Sequence, residues 1–136
     1  MLFLDMAKGF LPVYIATLRA GDIAQVYIIA LMVVIGHDFS PFLRFKGGKG
    51  VAASLGVFIV LAPIPTLVIA VIFFLVTSIF KFVSFGSVMA SFSYPVVAYI
   101  LGYTKYLELA VVLGGLIIIR HWSNLKRLWH GREKKI

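Results

Sequence analysis

The sequence predicts an all-α integral membrane protein of about six transmembrane helices, with both termini cytoplasmic. Three observations carry that prediction. First, 62% of the 136 residues are hydrophobic and only 13% are charged, with a mean hydropathy of +1.05, whereas soluble domains average about 45–50% apolar and about 25% charged. A chain this short cannot hide so much apolar surface from water. Second, runs such as Val68 to Val76 are continuously apolar, and the absence of alternation favours helices over barrel strands. Third, the basic residues gather in alternate loops, as the positive-inside rule requires.

The chain reads as one transmembrane domain over residues 1–136. Segment one runs from Leu2 to Leu18, and Arg19-Ala20-Gly21-Asp22 ends it. Asp5 and Lys8 interrupt its apolar stretch and no cleavage site follows, so it does not read as a signal peptide. Segment two covers Ile23 to Ile35. A glycine-rich cytoplasmic stretch, 36–52, leads into segment three, Val51 to Ala62. Pro63-Ile64-Pro65 is expected to close it, because proline does not suit a helix interior. Segment four is Thr66 to Phe80, segment five Ser87 to Tyr103 and segment six Leu107 to Ile119, before a basic cytoplasmic stretch, 120–136. Several segments fall short of the ~20 residues of a usual span, so their ends must draw on the adjoining loops or the bilayer must thin.

Parity supports the orientation. With Arg44, Lys46 and Lys49 inside, four spans lead to a tail that is inside as well, with Lys126, Arg127, Arg132, Lys134 and Lys135. Lys81 also falls inside, and only Arg19 and Lys105 occupy outer loops. In so apolar a chain, the net charge of +8 points to cytoplasmic loops and lipid headgroups, and not to a nucleic-acid groove. With no cysteine, three histidines and five acidic residues, neither a disulfide framework nor a dense metal site is expected.

Two stretches carry chemistry. From Gly36 to Gly50, Gly47, Gly48 and Gly50 surround Lys49. Uncovered backbone amides there can converge on an anion, and the N-terminus of the next helix adds donors and a positive dipole end. Lys46 and Lys49 add full charges, and Phe39, Phe42 and Phe45 recur every third residue as an apolar face. A Walker A loop is excluded, because Gly50 and not Ser or Thr follows the lysine. A plain positive-inside loop is the simpler reading, yet it does not explain the interleaved glycines. From Arg120 to Glu133, a helix would bring Arg120, Asn124, Arg127 and Gly131 to one side and set His121 and Asn124 one turn apart. That face offers guanidinium, imidazole and amide groups to a phosphate or hydroxyl, or simply a basic surface to anionic lipid. Trp122 and Trp129 suit an interfacial belt. Glu133, between Arg132 and Lys134, reads as a structural ion pair. His37 and His121 are the acid–base candidates, although a lone histidine is more often structural. Neither starts a His-x4-Asp motif. Asp5 and Lys8, one turn apart, read as a functional intramembrane pair or a mutually neutralising one.

These motifs resemble those of the PlsY-type acyl-phosphate:glycerol-3-phosphate acyltransferases of bacterial membranes. Gly-His-x-Phe-x-x-Phe-x-x-Phe-Lys-Gly-Gly-Lys-Gly-Val-Ala is matched from Gly36 through Ala52. Arg-His-x-x-Asn-Ile-x-Arg-Leu-x-x-Gly-x-Glu is matched from Arg120 through Glu133, with Leu125 in place of isoleucine. The opening Leu4-Asp5, Lys8-Gly9 and Leu11-Pro12-Val13 looks like the family's second helix. The family pattern has seven helices. Its first helix and first motif, Gly-Ser-x-Asn-x-Gly-Ala-x-Asn followed by an arginine, have no counterpart here, and Gly86-Ser87 lacks the asparagines. The expectation is that the true start lies upstream of Met1 or that the chain is a shortened relative.

The resemblance implies transfer of a fatty acyl group from acyl phosphate to the sn-1 hydroxyl of glycerol 3-phosphate, giving lysophosphatidic acid and phosphate, at the cytoplasmic face of the bacterial inner membrane. His121 and Asn124 are the catalytic candidates. His37, Lys46, Gly47, Gly48, Lys49, Gly50 and Arg120 are the substrate-binding candidates. Expected partners are glycerol 3-phosphate, acyl phosphate and membrane lipid, with no nucleic acid, no obligate protein partner, no metal and no cofactor. The alternatives are an inactive shortened relative and a small transporter or channel subunit; few charges lie mid-span, which counts against the channel.

Overall fold

In the computed structural model, residues 2–19, 22–38 and 50–135 are described, and every regular element among them is a helix. These are α1 (Leu2–Leu18), α2 (Ile23–Asp38), α3 (Val51–Leu61), α4 (Pro63–Phe80), α5 (Val83–Ile100), α6 (Leu107–Arg120) and α7 (Trp122–Trp129).

Among the described residues, α1 and α3 make the most extensive contact of any helix pair. Small residues permit it. A methyl group built at Gly9 would overlap the Ala53 carbonyl, and one at Gly56 would overlap the Met6 carbonyl. The two backbones therefore touch in both directions, the packing expected where lipid supplies no hydrophobic drive. Pro12 sits inside α1, which spanning helices tolerate. Asp5, mostly buried, pairs with Lys8 at 3.8 Å across one turn, so the neutralising reading of that pair has a geometric basis.

α2 starts where Asp22 Oδ1 accepts the Gln25 backbone N–H at 2.8 Å, a side-chain cap. Its Val26, Ala30 and Val34 recur every four residues and are completely or almost completely buried, joining Val13, Ala53, Val57, Leu109 and Leu113 in the core.

Between α3 and α4 a single residue, Ala62, leaves the helical region. The prolines do not make a separate turn. Pro63 occupies the first helical position of α4, where no backbone N–H is needed and the fixed φ suits the helix. The boundary therefore lies three residues before the Thr66 expected from sequence. α5 likewise begins at Val83 and not at Ser87, with Gly86 packed against Thr77 and Phe73 of α4. α4 and α5 form a hairpin around Lys81 and Phe82, and α5 continues onto α6, with Gly114 set against the Ser91 carbonyl.

α4 and α5 are each long and apolar enough to cross a bilayer. α6 and α7 qualify together as one span bent by 55°, while α2 and α3 are shorter apolar helices. Outward-facing Leu67, Phe74, Leu75 and Ile79 on α4 are more than half exposed; such a surface suits lipid.

Candidate active site

One groove of about 530 Å³ runs between α3, α4, α5 and α6, within the range of about 300–1,000 Å³ common for ligand sites. Its walls are mainly apolar, from residues such as Leu55, Ile69, Phe73, Leu113 and Ile117. At one end stand Val51, Ser84, His121 and Asn124; at the other stand Phe58, Thr66, Tyr94 and Ala110. A mainly apolar trough with an imidazole and an amide at one end, and at the other hydroxyls bonded to each other, suits an amphiphile.

His121 is the hinge between α6 and α7. Its backbone N–H still bonds the Ile117 and Ile118 carbonyls, both at 3.1 Å, and its carbonyl accepts the first bond of α7, from Leu125 at 2.9 Å. The imidazole is buried, with Nδ1 2.8 Å from the Ile117 carbonyl. A carbonyl only accepts, so Nδ1 carries the hydrogen, and in the neutral ring Nε2 is the acceptor.

Asn124 lies in the first turn of α7 and hydrogen-bonds to Glu133. Glu133 comes back to meet it because of Gly131. After Trp129 the Arg132 N–H bonds the Arg127 carbonyl at 2.6 Å and the Gly131 N–H bonds that of Leu128 at 3.1 Å, with Gly131 at φ +70°. This is a Schellman stop, whose left-handed residue favours glycine. Ser84 of α5 donates to Glu133 Oε2 at 3.0 Å, Arg127 Nε to Oε1 at 3.4 Å and the Lys134 N–H to Oε1 at 3.2 Å. Burial by itself would raise the Glu133 carboxyl, but the bonds from Asn124, Ser84, Lys134 and Arg127 outweigh it and hold the carboxyl below its ordinary value.

The single helical face expected from Arg120 to Gly131 is thus divided by the bend at His121. Arg120 closes α6, half-buried, and does not line the groove. Asn124 and Arg127 do share a side, the one facing Glu133. Glu133 is an ion-pair member as expected, but its partner is Arg127, with Asn124 and Ser84 added. Sequence reasoning missed Ser84; its one signal is a serine near the start of an otherwise apolar helix. Trp122 and Trp129 are largely exposed, and Lys126 lies 5.6 Å over the Trp122 ring.

His37 is the penultimate residue of α2. Gly50, at φ 85°, caps the start of α3 and receives the Ser54 N–H at 2.9 Å. The N-terminus of α3 accordingly opens at the polar end of the groove, beside His121 and Asn124. Lys46, Gly47, Gly48 and Lys49 lie outside the described residues.

The family described as glycerol-3-phosphate acyltransferase matches residues 1–131. The glycerol-3-phosphate acyltransferase of Fusobacterium nucleatum is 41% identical over 136 residues, covering 99% of this chain and 70% of its own length. Crystal structures of PlsY, an integral membrane glycerol 3-phosphate acyltransferase, superpose in their lysophosphatidic acid and glycerol 3-phosphate forms with TM-scores of 0.90 at 36% identity, covering 99% of this chain. This chain spans 70% and 68% of those two chains. By sequence and by structure, the chain belongs to the glycerol-3-phosphate acyltransferase family of integral membrane proteins.

Proposed function

We propose that this chain transfers a fatty acyl group from acyl phosphate to the sn-1 hydroxyl of glycerol 3-phosphate, releasing lysophosphatidic acid and phosphate. The observation that carries the reading is the groove, whose apolar walls end at His121, Asn124 and the N-terminus of α3. It matches a donor with an alkyl chain at one end and a phosphate at the other. Family membership and the likeness to PlsY in its glycerol 3-phosphate and lysophosphatidic acid forms support the acceptor and the product.

In this reading Lys46, Gly47, Gly48, Lys49 and Gly50 cradle the glycerol 3-phosphate phosphate, helped by the positive end of α3. His37 supports that loop or binds substrate, and Arg120 adds positive charge. His121, its Nδ1–H held by Ile117, offers Nε2 to the acceptor hydroxyl, and Asn124 orients the donor. The hydroxyl oxygen attacks the acyl carbonyl carbon, the bond from that carbon to the phosphate oxygen breaks, and the proton leaves with the departing phosphate. The donor is already activated, so positioning and charge stabilisation supply the acceleration. The reaction as written needs no cofactor, metal, nucleic acid or protein partner. Six spans with both termini cytoplasmic would place this chemistry at the inner face of the bacterial cytoplasmic membrane.

Membranes containing the chain, given glycerol 3-phosphate with either acyl phosphate or acyl-CoA, should form lysophosphatidic acid from acyl phosphate alone. Formation from acyl-CoA alone would reassign the donor. No product from either, with the protein verified as folded, would identify an inactive relative.

A further inference from the structure

The groove ends against two aromatic rings. Phe58 of α3 and Tyr94 of α5 meet there with centroids 4.6 Å apart and planes tilted by 36°. Both side chains are buried, and the Tyr94 hydroxyl lies 2.7 Å from Thr66 Oγ1 of α4. Behind the pair lies a second cavity of about 140 Å³, which Leu61, Ala98, Tyr103 and Tyr106 help to line. Phe58 and Tyr94 wall both spaces. The rings are therefore a partition between two voids, with room on the far side that the groove does not use.

We propose that the Phe58–Tyr94 pair is a stop that sets the longest acyl chain the groove accepts. This rests on the acyl-transfer reading above and deepens it. From His121 to Ala110, the α6 residue beside the stop, the helix rises about 16 Å at ~1.5 Å per residue. An extended chain advances about 1.2 Å per bond, by the reach of a polypeptide over its three bonds per residue. The groove thus holds about a dozen carbons beyond the reacting carbonyl. Discrimination here is steric. A donor arriving from lipid gains little by moving each methylene into an equally apolar groove, so chains that fit should react alike. A longer chain must displace a pinned ring or turn out of the groove, and the loss expected from forcing methylenes into a packed site is about tenfold.

The test is kcat/KM for glycerol 3-phosphate acylation with saturated acyl phosphates from octanoyl to stearoyl. The wild-type profile should be level and then fall about tenfold beyond the length of the groove. Phe58→Ala should open the partition and move the fall to longer chains by raising the long-chain rates about tenfold. Phe58→Leu, a milder cut, should move it less. Leu61→Trp, filling the far cavity, should leave the wild-type profile unchanged and cancel the gain in Phe58→Ala. A flat wild-type profile overturns the stop, and so does a fall unmoved in folded Phe58 variants. No transfer from any donor overturns the acyl-transfer reading itself, and the stop falls with it.

Discussion

α3 has two faces built on opposite principles. Toward α1 it presents Ala53 and Gly56, and the helices approach until carbonyl meets glycine. Toward α4, α5 and α6 it presents Ser54, Leu55 and Phe58, and about 530 Å³ stays open. One face removes all space and the other preserves it. The close crossing gives the groove a wall that cannot retreat, because any movement of α3 away from the groove would drive backbone into backbone. Rigidity on one side of a short helix thus supports a void on the other, and substitutions on the two faces should fail differently.

The largest effect belongs to the closed face. Gly56→Leu requires a side chain where the Met6 carbonyl and the Phe10 backbone nitrogen lie. Overpacking typically costs ~1–3 kcal/mol when side chains can yield, and backbone yields less. The variant should fail to give a monodisperse folded species in detergent, and a wild-type melting profile would show that α1 and α3 can separate without penalty.

Next comes the polar end of the open face. His121→Ala should lower kcat by about 10²-fold, the loss that misplacing a reacting hydroxyl by about 1 Å can cause. Most of the fold should survive, since α6 and α7 on either side of the hinge keep their own backbone hydrogen bonds. Kinetics normalised to folded protein decide the matter: an unchanged kcat with a lowered melting temperature would make His121 a hinge only.

Glu133 is expected to have an intermediate effect, on stability and with a defined pH sign. Its carboxyl is held below its ordinary value, so the folded state favours the ionised form and binds fewer protons than the unfolded state in acid. The contribution is present above the unfolded pKa and disappears as pH falls through the lower folded one. Hydrogen bonds to charged groups contribute roughly 1.5–3 kcal/mol each, so Glu133→Gln should lower thermal stability at neutral pH by about that of one such bond. The deficit should shrink at acid pH, where the wild-type carboxyl is itself neutral. A deficit independent of pH would mean that shape, not charge, holds α7 to α5.

How far these features could be read in advance depends on their range. Helix positions come from local apolarity, and α1, α2, α3 and α6 fall within a few residues of the segments read from sequence. The errors at α4 and α5 share a cause. Sequence puts a turn at Pro63 and starts segment five only after Gly86, whereas proline is acceptable in a first turn and Gly86 is packed inside the hairpin. The motifs at Gly36–Ala52 and Arg120–Glu133 were visible because their residues are contiguous. The bend at His121 and the Gly131 turn were not, since each depends on where the backbone hydrogen bonds stop. Ser84 and Glu133 stand 49 residues apart, and the Phe58–Tyr94 partition joins two helices through a third; no periodicity signals either.

The smallest predicted effect separates the hydroxyl of Tyr94 from its ring. Thr66 Oγ1 lies 2.8 Å from the Ala62 carbonyl and 3.0 Å from that of Phe58, as well as 2.7 Å from the tyrosine oxygen. Tyr94→Phe therefore removes one partner and leaves Thr66 satisfied, bonded to carbonyls that also accept the Ala62 and Thr66 backbone N–H groups. Such a loss costs about 1 kcal/mol, a small downward shift in melting temperature. The ring stays, so the groove keeps its length and the acyl-chain profile should not change. Thr66→Val is the sharper companion, because it removes the shared hydroxyl and leaves the buried tyrosine hydroxyl with only Ala62 at 3.4 Å. If Tyr94→Phe were to change the chain profile while its stability stayed normal, the hydrogen bond, and not the bulk of the ring, would be what closes the open face.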